Sequence, residues 1–394
     1  MATRRVVVVG AARSAIGKFG GSLKDIATVD LGAAVVSAAL NRAAIVPSAV
    51  EHVFIGNVIH TDMRDMYLAR AVTITAGLSI ETPALSLNRV CGSGLQAIIS
   101  AAQAILLGDI DVAVAGGVES MSRAPYWLPT MRWGQRMQDG VVIDAMLGAV
   151  TDPFDGCAMG MTAERVATRY GITREMQDQL ALNSQVRAAT AIEAGYFADQ
   201  IVPITIPVKG GTTSFAVDEG VRAESTLAGL AKLRPIFDAQ GSVTAGNSSS
   251  INDGAAALVL MEEQVARARG LPILAHLVGY SHAGVDPAYM GIGPIPAIQK
   301  VLAKTGIHRD DVAIYEINEA FAAQAAAVTQ ELGLDPAKVN PNGSGISLGH
   351  PLGASGAILS VKAIYELHRT QQAYAVTSLC IGGGQGIAAV WARA

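Results

Sequence analysis

Cysteine is scarce in this 394-residue chain, with only Cys91, Cys157 and Cys380. An odd set of three thiols excludes a disulfide-stapled secreted framework and turns attention to thiol chemistry. Charge is scarce too, at 16% of residues against 51% hydrophobic. A net charge of −4 provides no basic footprint, so no nucleic-acid partner is expected. No uninterrupted apolar run reaches the ~18 residues a membrane span needs, and no membrane partner is expected. Val6 to Val9 is too short for the core of a signal peptide and is followed closely by Arg13 and Lys18, so it reads as a first core strand. Trp391 to Ala394 matches no sorting signal. Cys-x-x-Cys and His-Glu-x-x-His spacings are missing, so no metal is expected. These absences together point to a reducing, bacterial-type cytoplasm.

Alanine, valine, isoleucine and glycine are abundant, which predicts an α/β chain of tightly packed helix-on-sheet layers with further burial between subunits. The length allows two or three domains. An internal repeat organises them. Val50 to Asn57 resembles Val312 to Asn318, and Asp111 to Gly117 resembles Tyr374 to Gly383. Between those pairs, the unit around Cys91 corresponds in place to Gly349-His350-Pro351 and the helix predicted over 354–368. The expected division is 1–120 for the first half, completed by about 247–270, and 271–394 for the second. An insert, 121–246, differs in character. It holds Trp127 and Trp133, and a long amphipathic helix is expected from Thr173, a good N-cap, to Gly195.

Cys91 lies in Asn88-Arg89-Val90-Cys91-Gly92-Ser93-Gly94, between a short strand over 84–87 and an apolar helix over 95–107 closed by Gly108. Unpaired N–H groups and the helix dipole favour a thiolate there, and Gly92 and Gly94 permit a sharp turn and close approach to the sulfur. A nucleophile fits; so does a buried cysteine acting as a small hydrophobe. His350 stands in a rigid Gly-His-Pro turn ahead of a helix, a setting none of the other six histidines shares. It is either a base or a structural histidine. Asn318 follows an apolar strand end and is either a helix cap or an amide donor. Cys380 ends a strand and precedes Gly382-Gly383-Gly384, whose N–H groups can point inward. That glycine run is no nucleotide loop, because a strand-like stretch, 387–391, follows where a helix is required.

Asn318-Glu319-Ala320-Phe321, Gly349-His350-Pro351-Leu352-Gly353-Ala354 and Cys380-Ile381-Gly382-Gly383-Gly384, with the Cys91 motif ahead of them, resemble the thiolase family over Val6 to Val390. Arg64 to Leu68 and Asn340 to Gly345 carry a closer likeness to bacterial short-chain 3-ketothiolases, including those feeding polyhydroxyalkanoate synthesis. The resemblance implies a five-layer fold of two repeated αβ halves with mixed sheets, plus a loop domain that receives coenzyme A. It also implies a homotetramer, a dimer of dimers joined near Arg123 to Gly140. It implies a ping-pong Claisen condensation, reversible as thiolysis, from two acyl-CoA such as acetyl-CoA to 3-ketoacyl-CoA and coenzyme A. Coenzyme A and its thioesters are substrates, and no cofactor is expected. Cys91 accepts the acyl group, His350 takes its proton, and Cys380 removes the α-proton of the second acyl-CoA. Asn318, through a water and with His350, stabilises the enolate oxygen, while the N–H groups of Gly382 and Cys91 serve the acyl-enzyme steps. Glu319 holds neighbouring groups by hydrogen bonds. The resemblance places Arg222 near the adenine nucleotide, Ser249 on the pantetheine, and Met159, Met290, Ala320 and Phe321 around the acyl pocket. Ser250 departs from the glycine usual in relatives, and Ala158 from a histidine common in short-chain ones. Cys157 reads as inert. The rivals are a decarboxylating ketoacyl synthase, which Cys380 and Asn318 oppose, and a non-catalytic acyl-CoA-binding homologue, which the intact four-residue set opposes.

Overall fold

Nine strands, counted along the chain, build most of one mixed sheet in the computed structural model, which describes residues 4–394. They are β1 (Val6–Arg13), β2 (His52–Gly56), β3 (Ala84–Leu87), β4 (Val112–Ser120), β5 (Asn252–Glu262), β6 (Ala275–Gly284), β7 (Val312–Ile317), β8 (Tyr374–Ile381) and β9 (Gln385–Arg393). A two-residue strand, Gly17–Lys18, pairs beside β5. The order β7-β8-β9-β6-β1-β5-β4-β2-β3 is two copies of one arrangement, back to back. In each copy an outer parallel pair (β2 with β4, β7 with β8) leads into antiparallel partners. The strands of the two copies pair where Val7 and Val8 of β1 meet His276 and Ala275 of β6. β1, β4 and β5 are buried along their whole length, so β-branched and small residues run on without alternation.

The helices that matter for the site are α1 (Thr28–Arg42), α2 (Ser93–Leu107), α3 (Met159–Tyr170), α4 (Arg174–Glu193), α5 (Pro294–Thr305), α6 (Ala322–Glu331) and α7 (Leu352–Thr370). On β4, Gly117 faces Gly353 of α7 while its neighbour Val118 faces Gly32 of α1, as successive strand residues must. α1 therefore covers one face of the first half. α2 and α7 lie between the two halves, and α5 covers the far side of the second, which makes five layers. α7 is buried along most of its length and composed of small and apolar residues on every side, as a central helix requires. Its buried cation, Lys362, reaches Glu316 at 2.8 Å, both side chains buried. Glu316 is pushed up to about 7 by burial, with Lys362 pulling the other way.

α2 and α7 touch backbone to backbone. A Cβ on Gly94 would lie 2.8 Å from Ala357 N, and one on Gly356 would lie 2.5 Å from Leu95 N. Since Cys91 and His350 stand just before these helices, this contact brings the two turns together. The stretch Val90–Leu107 is more apolar than expected from uninterrupted runs: over 18 residues its mean hydropathy of 1.6 reaches that of a membrane-spanning helix. Its packing between the sheet halves accounts for that composition.

The segment from Met121 to Gly246 contains α3, α4, a hairpin of Ile204–Val208 with Gly211–Phe215, and a short pair, Tyr126–Trp127 with Ile143–Asp144. Thr173 caps α4 by accepting from Met176 N–H. α4 is not amphipathic in the expected sense. Its buried stripe, Gln177, Asp178, Ala181, Ser184, Gln185, Ala188 and Ala191, has helical spacing but is polar and small. The stripe meets polar partners: Asp178 accepts from Asn247, and Ser184 donates to Glu319.

Candidate active site

The turn ahead of α2 is held by side chains that satisfy its loose backbone groups. Asn88 Oδ1 accepts from Val90 N–H, Ser93 Oγ accepts from Arg89 N–H, and Ser93 donates to Val90 O. Val90 sits at φ 45°, a left-handed conformation costly for a β-branched residue, directly before Cys91. This corrects the role expected of the glycines: Gly92, at φ −85°, makes no left-handed turn. What Gly92 supplies is room, because a Cβ there would lie 2.6 Å from Ile381 Cδ1.

Cys91, His350, Cys380 and Gly382 border one cavity of about 360 Å³, together with Arg222, Ser249, Met159, Met290, Ala320 and Phe321. Asn318 does not line it. It lies buried behind His350 and donates from Nδ2 to His350 Nε2 at 3.2 Å. Cys91 is half-buried and Cys380 fully buried. β8 runs through Cys380 to Ile381, and left-handed Gly383 and Gly384 (φ 82° and 84°) reverse the chain into β9. That reversal leaves the Gly382 N–H aimed at Cys91. The antiparallel return as β9 agrees with the rejection of a nucleotide loop.

The charges are set by burial. Desolvation pushes Cys91 up to about 11, against the N–H groups of Gly382 and of Cys91 itself, with Glu119 adding to the rise. The thiolate expected from the helix terminus alone is therefore not the resting form: removal from water outweighs the turn's donors. Burial also holds His350 down to about 4, so the pair rests as thiol and neutral imidazole. Cys380 is driven higher still by burial, then by the adjacent Cys91.

Several supports were not legible in the sequence. Glu119, at the end of β4, accepts from Asn57 Nδ2 and from the N–H groups of Val58, Ile59 and Gly353, and so ties the start of α7 to β4 and the 57–59 loop. Asn252 Oδ1 accepts from His350 N–H, and Gly349 (φ 116°) packs against the same amide. Ser250 donates to that same Asn252 oxygen and so braces the histidine turn. Asn340 bonds both backbone groups of Ile317 and donates to Glu319, which also accepts from Ser184 and Ile346 N–H. Glu319 thus holds its neighbours together and does not face the cavity. Ser249 N–H donates to Ala320 O, and Ala322 N–H to Asn247 O, which zips the 247–249 loop to the start of α6. Ala158 borders the cavity as the residue before α3; Cys157 does not and sits beside Asp155.

A polar corner of two thiols, an imidazole and inward N–H groups in an otherwise apolar cavity suits acyl transfer between thiols. Comparison with known proteins agrees. The thiolase N-terminal domain model matches residues 6–264 and the thiolase C-terminal domain model residues 271–393. Beta-ketothiolase BktB of Cupriavidus necator is 58% identical over 392 residues, covering 99% of this chain and all of that protein. The acetyl-CoA acetyltransferase of Escherichia coli is 48% identical, covering 99% of both chains. The crystal structure of the Bacillus anthracis acetyl-CoA acetyltransferase superposes with a TM-score of 0.98 at 48% identity, covering 100% of this chain and 99% of that one. Human mitochondrial 3-ketoacyl-CoA thiolase, solved in complex with CoA, gives 0.96 at 43% identity, covering 100% and 98%. The fold, the site and these matches along nearly the whole chain lead to one conclusion: the chain belongs to the thiolase family.

Proposed function

We propose that this acyltransferase catalyses the reversible Claisen condensation of two acyl-CoA, acetyl-CoA among them, to 3-ketoacyl-CoA and coenzyme A. The observation that carries the reading is the shared cavity of Cys91, His350, Cys380 and the Gly382 N–H. As Cys91 attacks the thioester carbon, its proton passes to His350 Nε2. The carbonyl oxygen, gaining charge, is met by the N–H groups of Gly382 and Cys91, and the departing coenzyme A sulfur takes the proton back. Acylation takes Cys91 out of the titration, and with it the opposition that an ionising Cys91 offers to ionisation of Cys380. Cys380 then gives its own proton to His350 and, as thiolate, takes the α-proton of the second acyl-CoA, whose enolate oxygen is met by the protonated His350 and a water on Asn318. The enolate carbon attacks the acyl-enzyme carbonyl, the bond to Cys91 breaks as 3-ketoacyl-CoA leaves, and the Cys91 thiolate takes the proton from His350, which restores all three groups. The loop domain receives coenzyme A, with Arg222 toward the nucleotide and Ser249 on the pantetheine. The enzyme works without metal or resident cofactor, in the cytoplasm, as a homotetramer. An exposed apolar stretch including Trp127, Met131, Trp133 and Met137 supports that assembly.

Two variants test the division of labour. Cys380→Ala should still gain an acyl mass from acetyl-CoA while losing condensation and thiolysis by several powers of ten. Cys91→Ser should show no adduct at all. Intact-protein mass spectrometry reads both, and an adduct on Cys91→Ser, or none on Cys380→Ala, would overturn the assignment.

A further inference from the structure

We propose that Ser355 is a positioning residue that fixes which nitrogen of His350 carries the proton. It rests on His350 acting as the base for Cys91. His350 and Ser355 are both buried, and His350 Nδ1 lies 2.6 Å from Ser355 Oγ. The hydroxyl has one proton, and the Pro351 carbonyl, 2.8 Å away, accepts it one turn back along α7. Ser355 Oγ is then an acceptor toward the ring, which places a proton on Nδ1. The other side of the ring agrees, because Asn318 Nδ2 reaches Nε2 at 3.2 Å and needs a lone pair there. Two contacts from separate parts of the chain thus select one tautomer, with Nε2 unprotonated and its lone pair exchanging the Asn318 contact for the incoming proton. A neutral imidazole must offer its lone pair on the side where the thiol lies, so the tautomer matters as much as the ring's position. The backbone of His350 is placed independently by Asn252, so the ring's location does not depend on Ser355.

Removing the hydroxyl should free the ring to place its proton on Nε2, where it blocks transfer from Cys91. Ser355→Ala should slow acylation by acetyl-CoA roughly 10- to 100-fold, the range seen when the partner orienting a metal-bound histidine is lost, with KM moving far less. Ser355→Thr, which keeps a hydroxyl, should recover most of the rate. Nitrogen NMR of the whole ¹⁵N-histidine-labelled enzyme reads the tautomer directly, with His350→Asn assigning the resonance. Wild type should show Nδ1 protonated and Ser355→Ala a shift toward Nε2. Nε2 protonation in the wild type would overturn the proposal. So would a Ser355→Ala enzyme that keeps the wild-type tautomer, whether its rate is unchanged or falls only with a loss of folding stability. If His350→Asn acylates at the wild-type rate, the reading of His350 as base fails, while the tautomer measurement stands.

Discussion

His350 and Ala158 each carry a consequence that one substitution exposes. A free imidazole titrates near 6.5, whereas His350 is held down to about 4 by burial. The unfolded chain therefore binds that proton first as pH falls. The group's contribution is complete above 6.5 and is lost progressively toward 4, by roughly 3 kcal/mol. Urea unfolding at pH 7 and pH 4.5 should show wild type losing more stability than His350→Asn, and equal losses would contradict the burial argument. Ala158 borders the cavity, at the position where the family resemblance implies a histidine in short-chain members. Its short side chain leaves a roomier, more apolar wall, and each methylene accommodated in such a pocket is worth ~1–3 kcal/mol. Ala158→His should lower kcat/KM for 3-ketopentanoyl-CoA relative to acetoacetyl-CoA; an unchanged ratio would remove Ala158 as a determinant of chain length. Both positions stood out in the sequence. Val90 did not, since a β-branched side chain is among the last expected at φ 45°.

At the scale of elements, α2 and α7 behave as one unit. The glycines between them act by having no side chain, not by unusual dihedral angles. Gly94→Ala would drive a methyl against Ala357 N and Gly353 O, at 2.8 and 2.9 Å, both backbone atoms that cannot swing away. A cost of about 1–3 kcal/mol is expected, together with lost activity as the Cys91 turn shifts from His350. Gly211→Ala, which meets nothing within 4 Å, is the matching control. Thermal melts and turnover of the two variants check this, and equal behaviour would show that the helix contact does not set the site. α4 shows where pattern reading stops. Its cap and length follow from Thr173 and the run after it, but the polar character of its buried stripe depends on Glu319 and Asn247, far along the chain.

For the whole molecule, Trp127, Met131, Trp133 and Met137 are exposed in a single chain, more large apolar surface than one short stretch of a monomer usually carries. Replacing Trp127, Met131 and Trp133 by serine should reduce the proposed tetramer to dimers by light scattering while the cavity stays formed; an unchanged mass would place the contact elsewhere. The two halves were legible as a repeat because each encodes its own strands and turns. Their five-layer packing came with the family resemblance, while the joint through Val7, Val8, Ala275 and His276 was visible only in three dimensions.

By itself the sequence determined what is local or chemical: the apolar runs that become buried strands, Gly108 and Thr173 as helix ends, and a set of residues able to transfer an acyl group between thiols. Only the tertiary structure decided their charges and aim. Cys91 rests as a thiol, His350 is neutral, and Cys380 is the harder thiol to ionise, because each loses water to surroundings assembled from distant segments. Gly382 comes to the Cys91 sulfur, and Asn252 and Asn318 to His350, by the same assembly. Desolvation and hydrogen-bond direction depend on what lies within a few ångströms in space, and no spacing along a chain specifies that.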